Sequence, residues 1–355
     1  MTLRSNFHLL FVLLTIVSLS CKKKDNNNPD PNPNPPAGTT FTNPLLPSGP
    51  DPWVIKKDSF YYYTHTLGNR ISLWRIKKMS ELNLTVPQTI WTAPSTGVNS
   101  NNVWAPELHF LNGKWYVYYT AGSSPSDQST QRTYVLENAS TDPLTGSWVD
   151  KGQIGDPAAN FFAIDGTVLQ YSGNNYFIWS GHASASDNTQ RIYIARMSDP
   201  WTLATPRTLI SSPQYSWESA GAPPAVNEGP EALINPNGKV FLIFSASGCW
   251  TDDYALGMLT LADGADPLVA ANWTKTSTPV FTKKPGAFGP GHNAFFKSVS
   301  GNEDWILYHA NVSSGQGCGD TRNPRMQKFT WNSNGTPNFG EPVAIGVPIQ
   351  KPSGE

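Results

Sequence analysis

The chain has 355 residues, a formal net charge of -1, 14% charged residues and 12% aromatics, with 29 Gly and 31 Pro. That length can bury a large core, and all-β propellers or barrels of this size occur as one unit. The near-zero charge and the lack of Lys/Arg clusters argue against nucleic acid or an anionic membrane surface as the main partner.

The first element in chain order is a processing segment. Arg4 precedes an apolar run from Leu9 to Leu19 that is short for a membrane span, and the run ends in SLSC at Cys21. This resembles a bacterial lipoprotein signal, which implies cleavage before Cys21 and a lipid on its sulfur; an ordinary secretory signal is the alternative. The following KKKDNNNPDPNPNPP stretch cannot bury enough surface to fold, and its prolines keep it extended. Residues 1–20 therefore read as a signal peptide, 21–42 as a lipidated cysteine with an Asn/Pro-rich tether, and 43–355 as the folded domain.

From residue 50 onward, runs of β-branched and aromatic residues are cut by Gly, Asn, Pro and Ser. WVI leads to FYYYTHT, ELHF to WYVYYTAG, TVLQY to YFIWSG, ALI to VFLIFSAS, and AFF to WILYHANV, each pair across a short turn. These are hairpins. They begin near Asp51, Ala105, Asp165, Gly229 and His292, at spacings of 54, 60, 64 and 63 residues. Five units of that size, each with room for a four-stranded sheet, predict an all-β, five-bladed β-propeller. In that fold the innermost strands line a central channel, so the five hairpin starts meet at one end of the axis.

Those starts read SGPDPWVI, VWAPELHF, FFAIDGTV, VNEGPEAL and GPGHNAFF, which places Asp51, Asp165 and Glu228 beside apolar neighbours and His292 on the fifth. Carboxylates in such company are costly to desolvate unless something compensates. Two carboxyl groups across a cleft are what glycosidic hydrolysis requires, one to protonate the leaving oxygen and one to activate water. A third near the acid would raise its pKa by repulsion. The abundant Trp and Tyr suit carbohydrate faces as well as β cores. Cys249 and Cys318 are the cysteines left after Cys21; in an exported protein they can pair, and the sequence leaves both states open. No CxxC or HExxH spacing suggests zinc.

The set GPDPWV, WAPELHF with NGKWYVYY, the Asp165 strand, NEGP with VFLIFSAS, and GPGHN resembles glycoside hydrolase family 43, five-bladed propeller enzymes acting on arabinose- and xylose-containing polymers. YVLENASTDPLTGSWVDKGQI, the SWES region and WNSNGTPNFGEPV look closest to its exo-acting α-L-arabinofuranosidases on α-1,5-arabinan. The resemblance implies an inverting hydrolase with Asp51 as general base, Glu228 as general acid and Asp165 as the residue that tunes the acid. It further implies Arg325 as an arginine reaching the sugar, and His292 beside a structural calcium or other cation, with no cofactor needed for the chemistry. Trp104 is expected to wall the sugar pocket; Trp53 and Phe162 are pocket walls or core. Glu107 and Glu231, each following a proline, are expected to share a structural role. The expected substrate is an arabinose- or xylose-containing plant polysaccharide or oligosaccharide, met by an exported protein anchored to a bacterial membrane. A β-xylosidase, an arabinoxylan-debranching arabinofuranosidase, an endo-arabinanase and a non-catalytic sugar-binding lipoprotein are the competing readings. Two departures stand out: IDG from Ile164 to Gly166, where the family commonly has IDP, and a long Pro-rich PQYSWESAGAPPAVNEGP segment that is expected to shape the pocket rim.

Overall fold

The computed structural model describes Met1 and residues 38–355. The signal, Cys21 and tether expectations therefore lie outside the described residues, apart from Met1 and the last few positions before residue 43.

Five antiparallel sheets, each in simple sequence order, form the blades. The first holds β2 (Trp53–Lys57), β3 (Phe60–Thr64), β4 (Arg70–Ile76) and β5 (Gln88–Thr92); the second holds β6 (Asn101–Leu111), β7 (Lys114–Gly122), β8 (Arg132–Asn138) and β9 (Val149–Ile154). The third holds β10 (Ala163–Tyr171), β11 (Asn174–Gly181), β12 (Arg191–Asp199), β13 (Thr202–Leu203) and β14 (Thr208–Ser211), the last two both on β12. The fourth holds β15 (Asn227–Ile234), β16 (Val240–Ala246), β17 (Ala255–Leu261) and β18 (Trp273–Lys275). The fifth holds β19 (Phe288–Lys297), β20 (Asp304–Asn311), β21 (Asn323–Trp331) and β22 (Pro337–Asn338). The five-bladed propeller expected from the repeat is the fold found.

Strand pairing begins slightly before residue 43, because β1 (Thr40–Thr42) pairs with the C-terminal β23 (Pro348–Gln350). The chain then runs along the fifth blade: Asn43 exchanges two hydrogen bonds with the Met326 backbone, and the Leu45 and Gly49 N–H groups donate to the Pro324 and Arg322 carbonyls. This strap ties the first blade to the last and delivers Asp51 beside Arg322.

Most of the aromatic rings prove to be core. Tyr61 meets Phe296 between blades five and one, Tyr62 meets Trp115 between one and two, Tyr118 meets Phe177 between two and three, and Phe241 meets Trp331 between four and five, with centroids 5.2–6.2 Å apart. Such pairs add about 0.5–1.5 kcal/mol each beyond their buried area. Between blades three and four the packing is mainly aliphatic, with Ile178, Ile194 and Leu242 in one cluster with Phe244.

Candidate active site

At equivalent positions near the start of each innermost strand stands a residue with left-handed backbone: Asp51 (φ 54), Ala105 (φ 42), Asp165 (φ 55), Gly229 (φ 52) and His292 (φ 48), with Asn102 and Gly289 adding a second in blades two and five. A positive φ is costly for any residue with a Cβ, so its recurrence in every blade marks a built feature. The feature has a second component. The N–H of each of the five equivalent residues donates to a side chain from the preceding blade: Asp51 to His309 Nδ1 (3.0 Å), Ala105 to Thr66 Oγ1 (2.7 Å), Asp165 to Thr120 Oγ1 (3.1 Å), and His292 to Ser245 Oγ (2.8 Å). At the junction of blades three and four the acceptor is itself a candidate catalytic group, because Gly229 N–H donates to Asp165 Oδ2 at 3.0 Å.

These are the five hairpin starts read from the sequence, but Glu228 does not share the position of Asp51 and Asp165 as their grouping suggested. Asp51 and Asp165 are equivalent to Gly229, and Glu228 stands one residue earlier, where the second blade has Trp104. A glycine at 229 eases a crowded spot: an added Cβ would lie 3.3 Å from His292 Nδ1, whereas its positive φ is one that residues with a Cβ adopt in the other four blades. The IDG departure has a packing cause, since a Cβ on Gly166 would collide with Phe177 and come within 2.8 Å of Thr133.

Asp51 is buried, and both its oxygens are engaged. Arg322 Nη1 donates to Oδ1 at 2.7 Å, Thr66 Oγ1 donates to Oδ2 at 2.7 Å, and His292 Nδ1 and His309 Nδ1 lie 3.4 and 3.6 Å from Oδ1. Burial pushes its pKa up, but the Arg322 guanidinium, with His292 and the Thr66 hydrogen bond, outweighs it and holds the carboxyl well below the usual range. His309 accepts the Asp51 N–H on Nδ1, and burial, with Arg322 nearby, keeps its ring neutral.

Glu228 keeps partial exposure at the mouth. Burial raises its pKa, the 2.8 Å hydrogen bond from Tyr254 Oη to Oε1 lowers it, the Asp51 charge raises it and Arg322 lowers it, leaving it at about 7. Asp165 is also pushed up, first by burial, then by Glu228 and Asp51, against the Gly229 N–H. Asp165 and Glu228 thus titrate as a pair in which repulsion favours retaining a proton. The three carboxylates divide into one held ionised and two inclined to stay protonated.

The other expected residues are placed as follows. Trp104 is half-buried at the position equivalent to Glu228, consistent with a pocket wall. Trp53 is core: its Nε1 donates to the Leu108 carbonyl at 3.0 Å and its ring packs on His109. Phe162 is buried beneath His182, stacked at 4.4 Å, so His182 presents the surface there. Arg325 does not reach the site. It is fully buried, with its guanidinium donating to Asn323 Oδ1 and the Gly286 and Asn311 carbonyls. Arg322 takes the place expected for it. His292 faces Asp51 and packs on Gly229, and the charge partner beside that carboxylate is the Arg322 guanidinium; among the described residues no group of three His, Cys, Asp or Glu could hold a metal. A directly ligated cation at His292 does not fit these surroundings.

Glu107 and Glu231 lie outside the trio, as expected, and are buried together along the axis. Glu107 Oε2 meets His109 Nε2 at 2.9 Å, Thr167 Oγ1 donates to Glu231 Oε2 at 3.3 Å, and burial raises both carboxyls. The Pro-rich rim segment is pinned by Glu218, whose side chain is wholly buried. It accepts from Gln214 N, Tyr215 N, Asn227 Nδ2 and, at 2.7 Å, Lys275 Nζ. Asn227 adjoins Glu228, so this network steadies the Glu228 backbone. Cys249 and Cys318 are joined in a disulfide.

Sequence reasoning missed Arg322, Thr66, His309 and Tyr254. Arg322 and Arg325 are three residues apart in TRNPRMQ, an odd spacing that sends side chains to opposite faces of an extended chain. The sequence could have shown that one arginine at most reaches the channel, though not which.

Comparison with known proteins agrees with this geometry. The chain is 45% identical over 318 residues to an extracellular exo-α-(1->5)-L-arabinofuranosidase of Streptomyces avermitilis, covering 87% of the chain and 65% of that protein's length. It is 38% identical over 281 residues to the protein of the same name from Streptomyces chartreusis, covering 78% of the chain and 84% of that protein. The crystal structure of an α-L-arabinofuranosidase from Lactobacillus brevis superposes with a TM-score of 0.81 at 37% identity, covering 86% of the chain and 98% of the other. The model of the glycosyl hydrolases family 43 matches residues 41–337, and the chain belongs to that family.

Proposed function

We propose that the protein is an inverting exo-α-L-arabinofuranosidase that releases terminal arabinofuranose from arabinan or arabino-oligosaccharides. One observation carries the reading: at a single channel mouth Arg322 keeps Asp51 ionised while burial keeps Glu228 protonated to about pH 7. A base and an acid of that kind, ready at the same pH, are what single-displacement hydrolysis requires. In the step, Asp51 takes a proton from water as the oxygen bonds to the anomeric carbon. The glycosidic C–O bond breaks, and Glu228 gives its proton to the departing oxygen. A proton passing from Asp51 to Glu228 through solvent restores the starting state. Asp165 contributes through its coupled titration with Glu228 and by holding the Gly229 N–H next to the acid. The names of the Streptomyces and Lactobacillus relatives support arabinofuranoside as substrate and exo action as mode.

The protein acts outside the cytoplasm in this reading, tethered through a lipid on Cys21. The apolar Leu9–Leu19 run ending in SLSC supports it, as do the extracellular designations of the two Streptomyces relatives. Labelled fatty acid that still enters a Cys21→Ser variant would refute the anchor.

The reaction is tested by digesting linear arabinan and following products from the first minute. Free arabinose alone, with the β-anomer appearing first by NMR, is expected; a ladder of oligomers would mean endo action, and release of xylose from xylan without arabinose from arabinan would sink the substrate assignment.

A further inference from the structure

Trp250 alone among the tryptophans is exposed, at 44%. Its ring is nonetheless fixed. One side lies on the backbone of Gly221 and Gly248, so close that a Cβ on Gly221 would come within 2.5 Å of Nε1, and Nε1 donates to the Gly221 carbonyl at 3.3 Å. Thr251 closes a turn back to the Gly248 carbonyl, and the neighbouring Cys249 is bonded to Cys318. The loop is tied again where Ser314 Oγ and Gly315 N–H donate to the Asp252 carboxylate.

All three segments that hold this ring lead into the catalytic groups. Gly221 lies on the rim segment that enters β15 at Glu228. Trp250 lies four residues before Tyr254, whose hydroxyl donates to Glu228. Cys318 lies four residues before Arg322, whose guanidinium holds Asp51. An indole seated against glycine backbone and still 44% exposed offers a flat apolar surface, and such a surface complements the C–H face of a sugar ring. Its links run chiefly to the acid, which stands on the side of the departing sugar.

Resting on the reaction proposed above, we propose that Trp250 is a specificity-determining platform. It stacks a pentose ring of the leaving arabinan chain beyond the scissile bond, and the Cys249–Cys318 disulfide holds it in register with Glu228 and Arg322. The platform contributes in proportion to the chain on the leaving side and little to a substrate with one arabinose and a small aryl group.

The test measures kcat and KM of the full exported chain, unaltered and as Trp250→Ala and Trp250→Phe, on arabinobiose to arabinohexaose and on 4-nitrophenyl α-L-arabinofuranoside. Trp250→Ala is expected to lower kcat/KM about tenfold or more on the longer oligosaccharides, mostly through KM, and about threefold or less on the aryl glycoside, with Trp250→Phe recovering most of the loss. An equal loss on all substrates would make the ring a structural prop of the loop, and no loss on any would remove it from the binding path; either result overturns the proposal. Failure of the unaltered protein to release arabinose from every substrate would refute the reaction itself, and the platform's ligand with it.

Discussion

Arg322 Nη1 donates to Asp51 Oδ1 at 2.7 Å across a sequence separation of 271 residues, joining the last blade to the first at the carboxylate that the proposed reaction needs ionised. The same guanidinium lowers the pKa of Glu228. Replacing it with a neutral side chain therefore raises both carboxyls. For Arg322→Met, kcat/KM should fall by about 10²-fold or more, and both limbs of its pH profile should move to higher pH. The acidic limb moves because the base must lose its proton, the alkaline limb because the acid must keep its own. A profile unchanged in position would show that Arg322 does not set these charges.

Tyr254 acts on one limb only. Its hydroxyl favours ionised Glu228, so Tyr254→Phe raises the acid's pKa above about 7 and carries the alkaline limb of kcat/KM upward. A pH titration of the variant from 5 to about 9 reads this directly. Movement to lower pH would contradict the assignment of that limb to Glu228.

Asp165 separates charge from hydrogen bonding. Asp165→Asn leaves Glu228 to titrate alone: the two coupled steps of the pair should give way to a single alkaline limb and kcat/KM should fall, while the amide oxygen can still accept the Gly229 N–H. Asp165→Ala loses the acceptor too, leaving a buried donor unpaired at a cost of about 1–3 kcal/mol of stability. Urea unfolding of both variants distinguishes them; equal stability would mean that the Gly229 bond is not held.

The buried pair behind the acid is a matter of folding. Lys275 Nζ lies 2.7 Å from Glu218 Oε1, with side chains 9% and 0% exposed. Lys275→Met strands the Glu218 charge and should cost about 3–5 kcal/mol, and adding Glu218→Gln should return part of it. A single-variant loss under 1 kcal/mol by the same unfolding measurement would show the rim segment held by other contacts.

The repeat was legible in the sequence because hairpins announce themselves by strand periodicity and turn residues, and five of them recur at near-constant spacing. Asp51 and Asp165 were legible because both stand where strand starts converge. The exact register of Glu228 was not, since the left-handed residue of that blade is a glycine that leaves no side chain to count. Arg322, Tyr254 and His309 reach the carboxylates from loops and neighbouring blades, contacts made by closure of the ring and not by local pattern. Trp53 looked like a pocket wall because an aromatic two residues after Asp51 fits either role; the hydrogen bond to Leu108 across the blade interface turns it into the core.

The division of labour between Asp51 and Glu228 is tested most directly by changing how much the leaving group needs an acid. kcat/KM is measured for Asp51→Asn and Glu228→Gln on arabinotriose and on 2,4-dinitrophenyl α-L-arabinofuranoside, whose leaving group departs without a proton. Glu228→Gln should lose about 10³-fold or more on arabinotriose and within about tenfold on the dinitrophenyl glycoside, whereas Asp51→Asn should lose about 10³-fold or more on both. Equal loss by Glu228→Gln on the two substrates, or recovery of Asp51→Asn on the activated one, would contradict the assignment of acid and base.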